Sequence, residues 1–128
     1  MARLKVSVTE RDILKAVHEL KKRRKRGTVI ATCRVCPVAQ ALNRTLAKSP
    51  DYSHASVGGE ITLVSKRSHP EMGRESCDIE APVRVARFIE KFDAWFAWRS
   101  GSTTKKTMCP KPLTFTLSRV PDVFRMFA

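Results

Sequence analysis

The chain has 128 residues, 42% of them hydrophobic, which suits one folded domain (1–128) with its own core and excludes a disordered tail. It carries 25 Lys and Arg against 12 Asp and Glu, a formal net charge of +13. Thirteen of the basic residues and only three of the acidic ones fall within residues 1–50, so the excess is concentrated in the N-terminal part.

Leu4 to Val8 alternates apolar and polar, the pattern of a half-buried strand. Thr9 followed by Asp12 makes a near capping box and predicts a helix start. Ile13, Leu14, Val17 and Leu20 would form its apolar face. The helix would end in the basic run Lys21 to Arg26, with Gly27 as its stop. Thr28 to Ala31 reads as a short strand or an extended link. Pro37 suits the first turn of a second helix, with Val38, Ala41, Leu42 and Leu46 as its buried stripe and Ser49-Pro50-Asp51 as its end. Ser56 to Val64 reads as strand, Gly58-Gly59 turn or bulge, and strand. Residues 65–80 are polar and read as a loop. Pro82 opens a third helix, whose stripe would be Val83, Ala86, Ile89, Phe92 and Phe96, widened by Val85 and Phe88. Residues 99–112 read as a second loop, Leu113 to Leu117 as the last strand, and Val123 to Phe127 as an apolar tail docked on the body. The order is β-α-(β)-α-β-β-α-β. It predicts an α+β fold in which a small antiparallel sheet packs against about three helices.

A net charge of this size attracts polyanions, nucleic acid first among them. Lys15, Lys21, Lys22, Arg23, Arg24, Lys25 and Arg26 are the candidate phosphate contacts. Six consecutive cations wrap a helix completely, so they cannot all meet one surface. No Arg, Asn or Gln pattern for groove readout accompanies them, and binding would be mostly independent of sequence. A second candidate surface, facing a partner protein, comprises Arg84, Arg87, Lys91, Trp98 and Arg99. Trp98 stands outside the main stripe and would be its exposed member.

Cys33 and Cys36 are three apart, as in a zinc half-site. Cys77 and Cys109 could complete a four-thiolate site, or His69 could replace one of them. The alternatives are a redox pair and, as the leading reading, plain thiols packed as small hydrophobes. No cofactor other than zinc is indicated. No nucleophile has an evident base, and the chain reads as a binding protein rather than an enzyme. No apolar run is long enough to span a bilayer, and the first residues lack a secretory signal. The expected setting is therefore cytoplasmic, with no membrane partner.

Four blocks carry a resemblance: Cys33-x-x-Cys36-Pro37-Val38-Ala39-x-Ala41-Leu42, Ser56-Val57-Gly58-Gly59-x-Ile61, Pro82-x-x-Val85-x-x-Phe88-Ile89-x-x-Phe92-Asp93, and Pro112-x-x-Phe115-x-Leu117. Together the chain resembles a group of small proteins that recur in bacteriophage and prophage genomes and have no assigned activity. The resemblance implies a compact α+β fold and a phage setting inside a bacterial host. The basic run 21–26, residues 65–80 and residues 94–111 stand outside it, and they hold Cys77 and Cys109. Two functions follow as expectations: binding of nucleic acid, directly or within a nucleoprotein complex, and inhibition of a host defence complex, such as a CRISPR nuclease, by protein–protein contact. A zinc-stapled interaction module is the third.

Overall fold

A computed structural model describes residues 2–25, 32–69, 71 and 73–120. Strand β1 (Ala2–Val8) leads into helix α1 (Glu10–Lys25). A single turn, α2 (Thr32–Val35), precedes α3 (Pro37–Leu46). Strands β2 (Tyr52–Val57), β3 (Glu60–His69) and β4 (Gly73–Glu80) follow, then α4 (Val83–Arg99) and β5 (Leu113–Val120). The α+β class is as expected, but there are two small antiparallel sheets instead of one: β1 with β5, and the meander β2-β3-β4.

The capping box forms as the sequence indicates. The Thr9 amide donates to Asp12 Oδ2 at 2.8 Å, and the Asp12 amide donates to Thr9 Oγ1 at 3.3 Å. Asp12 also meets Arg44 of α3 at 2.8 Å, and the same guanidinium donates to the Ser7 carbonyl at 2.7 Å. One aspartate therefore closes a helix start and ties α1 to α3 and β1.

Helix α3 lies among the other elements, touching β1, β2, α1 and α4. Its buried side chains are Val38, Ala39, Ala41, Leu42 and Leu46, with Pro37 in the first turn. Asn43 pairs with the free edge of β2: its amide donates to the Ala55 carbonyl at 3.2 Å, and the Ala55 amide donates to its Oδ1 at 2.8 Å. The side chain thus does at one position what a neighbouring strand would do. Val6, Val8, Phe115 and Leu117 from one sheet and Ala55, Val57, Ile61 and Leu63 from the other belong to one hydrophobic cluster with α1, α3 and α4.

Three expectations are corrected. Leu14 is 68% exposed, because the face of α1 that packs is Asp12, Ile13, Ala16, Val17 and Leu20. Residues 65–80 are not a loop. Strand β3 runs on to His69 and turns back as β4, with Gly73 at φ +70° where β4 begins. The alternation in β4 is half-buried against exposed, so its apolar content is too low to announce a strand. In α4 the buried residues are Val85, Phe88 and Phe92, while Val83 is 66% exposed and Ala86 is also exposed. The single turn α2 was not anticipated. Residues 28–31 and 121–128, with the expected link and docked tail, lie outside the described residues.

Helix α4 ends in a Schellman motif. Gly101 adopts φ +80°, its amide donates to the Trp98 carbonyl at 3.1 Å, and the Ser102 amide donates to the Ala97 carbonyl at 2.8 Å. This closure turns the chain into residues 103–112, which lie outside helix and strand and lead directly into β5.

Candidate nucleic-acid interface

Burial of one face of α1 decides what the opposite face presents. Arg11, Leu14, Lys15, His18, Lys21 and Lys22 are all exposed, at helical spacings of three and four. They form one stripe, basic at Arg11, Lys15, Lys21 and Lys22, running for about 16 Å from Arg11 to Lys22. Lys21 and Lys22 therefore extend a line that begins about three turns earlier. Arg23 is half-buried and lies off it. The side chains of Arg24 and Lys25, and all of Arg26, lie outside the described residues. Arg11 and His18 lie outside the consecutive run and are not among the residues it points to. Their signal was the i, i+4, i+7, i+11 series through Arg11, Lys15, His18 and Lys22.

Positive charge also gathers beyond α1. Helix α2 touches both α1 and β2, and it carries the exposed Arg34. On β2, Ser53 Oγ lies 3.1 Å from His54 Nδ1, and Arg74 of β4 donates to the same Oγ at 3.2 Å. Partial burial, then the charges of Arg34 and Arg74, hold the His54 imidazole below its ordinary pKa. Three basic groups from three elements thus share a small region.

The second expected surface is not a convex face. Arg84, Arg87 and Lys91 line a groove of about 790 Å³ between α4 and residues 107–113. Trp98 and Arg99 do not join it. Trp98 is half-buried, not exposed, with the Lys106 ammonium 5.8 Å from its ring centre, while Arg99 lies 5.4 Å over Trp95.

The cysteines occupy different settings. Cys36 is buried, and its Sγ accepts a hydrogen bond from the Ala39 amide at 3.4 Å as the cap of α3. Cys77 lies half-buried on β4 and Cys109 is exposed in the 103–112 segment. Burial pushes both of these thiols above their usual range. The Cys33 side chain lies outside the described residues. Among the described residues no three His, Cys, Asp or Glu side chains are grouped so as to hold a metal. Nor is any described helix long and apolar enough to cross a membrane.

No protein-family model matches the chain, and no curated protein or solved structure is significantly similar to it.

Proposed function

We propose that the protein is a non-enzymatic nucleic-acid-binding protein that grips the phosphate backbone along the outer face of α1, with Arg34 and Arg74 continuing the contact. The observation that carries this reading is the stripe itself. Four cations of α1 project from one rigid face whose reverse side is fixed in the core. About 16 Å of helix runs beside four or five phosphates of one strand at ~3.4 Å each. The stripe offers ammonium and guanidinium groups but no Asn or Gln to read base edges, so affinity is expected to depend little on sequence.

Binding to a 20-base-pair duplex, measured by fluorescence anisotropy across KCl concentrations, tests this. Each neutralised phosphate contributes about 0.9 to the slope of log affinity against log salt. The variant K15Q/K21Q/K22Q should lower that slope by about 2 to 3. R84Q/R87Q/K91Q should leave it unchanged. A slope and affinity that ignore the α1 substitutions would sink the proposal.

A further inference from the structure

The groove between α4 and residues 107–113 has no part in the nucleic-acid reading, and three of its properties point to one class of ligand. Its rim is cationic. Arg84, Arg87 and Lys91 follow one another at i, i+3 and i+7 along α4, Lys111 lies on the opposite wall, and among the described residues Glu90 is the only acidic one in the lining. Its interior is apolar, with Phe88 at the base and Pro110, Leu113 and the 85% exposed Met108 beside it. The wall opposite α4 is main chain outside any strand ladder, with the Pro110 carbonyl accepting only from Cys109 Sγ at 3.6 Å among the described residues. Among the described residues no backbone–backbone hydrogen bond involves residues 103–112, and Thr107 Oγ1 is shielded from solvent without a partner.

Main chain outside any ladder, beside an apolar trough, is what an extended peptide adds to, with main-chain bonds supplying affinity and side-chain pockets supplying specificity. The cations on α4 rise by about 4.5 and 6 Å, shorter than the ~6.6 Å between alternate side chains of a strand by a difference that long Arg and Lys side chains span. Nucleic acid fits this groove less well. Bases need a free aromatic face, and among the described residues the one aromatic side chain lining the groove, Phe88, is buried. We propose that the groove binds an extended segment of a partner protein in which acidic and apolar residues alternate. The segment's main chain pairs with residues 106–109, its carboxylates meet Arg84, Arg87 and Lys91, and its apolar side chains cover Met108 and Leu113.

The test uses fluorescein-labelled decapeptides and the full chain. An alternating Glu–Leu peptide should bind about tenfold more tightly than an alternating Glu–Ser peptide of equal charge. Arg87 and Lys91 are exposed, so R87E/K91E spares the core, and it should cost the Glu–Leu peptide about tenfold in affinity. K15Q/K21Q/K22Q should leave peptide binding unchanged, which separates this proposal from the nucleic-acid reading. In the unaltered protein, the Glu–Leu peptide should slow amide hydrogen exchange at residues 106–109. Equal affinity for the two acidic peptides, full binding by R87E/K91E, or unchanged exchange at 106–109 would each overturn the proposal. So would a single-stranded DNA decamer that displaces the Glu–Leu peptide and itself loses affinity in R87E/K91E.

Discussion

Asp12 shows how one side chain joins local and distant structure. Its position three residues after Thr9 marks a helix start in the sequence, and the structure builds that box. Its other partner, Arg44, lies 32 residues away and could not be inferred from spacing. The Asp12 side chain is 6% exposed and that of Arg44 is 52% exposed, so the two ends of the pair differ in consequence. Asp12→Ala should cost about 2 kcal/mol, from the lost cap and an orphaned amide. Arg44→Ala should cost less, about 1 kcal/mol, because the buried Asp12 carboxylate loses its counter-charge but keeps both hydrogen bonds from Thr9. Urea unfolding of both variants checks the order, and an equal loss in the two would contradict it. His54 makes a pH prediction. Burial, Arg34 and Arg74 lower its folded pKa, so the unfolded chain takes up the proton first. Folded-state stability is complete above about pH 6.5, the unfolded value, and falls as pH drops through the lower folded value. NMR should place the imidazole titration below that of a free histidine, and Arg74→Gln should move it back upward. A titration unaffected by Arg74→Gln would contradict the placement of that charge.

Element by element, periodicity located α4 and most of its contact face, but drew that face too wide by including the exposed Val83 and Ala86. Val83, Val85, Ala86, Phe88, Ile89, Phe92 and Phe96 offer more than one apolar stripe at helical spacing, and hydrophobicity alone cannot choose among them. The choice was made by what packs opposite, namely α3 and β5. Phe92, fully buried and stacked with Phe96 at a centroid distance of 6.1 Å, should cost about 4 kcal/mol when cut to Ala. Val83→Ala should change stability by no more than about 0.5 kcal/mol. Thermal unfolding of the two variants decides this, and comparable losses would place Val83 in the core after all. The same ambiguity hid Leu14, which belongs to the α1 stripe by period and to solvent by position. Strand β4 failed to announce itself for a different reason. One of its faces is exposed and the other only half-buried, so few of its residues need be apolar.

At the scale of the molecule, α3 touches both small sheets, and Asn43 pairs with the β2 edge at Ala55. Charge gathers on this frame at two surfaces: the stripe on α1 with the Arg34 and Arg74 cluster, and a groove rim on α4 that faces main chain outside any ladder. The two surfaces belong to different elements, which is why substitutions on one are expected to leave binding at the other intact. Of the cysteines, Cys36 accepts the Ala39 amide as the cap of α3, Cys77 lies on β4 and Cys109 lies in the 103–112 segment. The sequence by itself determined the α+β class, the first helix start, the α3 stripe and the N-terminal charge excess, because each rests on near neighbours or on composition. Only the tertiary structure decided which cations align, which face of α4 is buried, and that Arg84, Arg87 and Lys91 border a groove. Those properties depend on what lies across from a residue, and the chain brings that partner from far away.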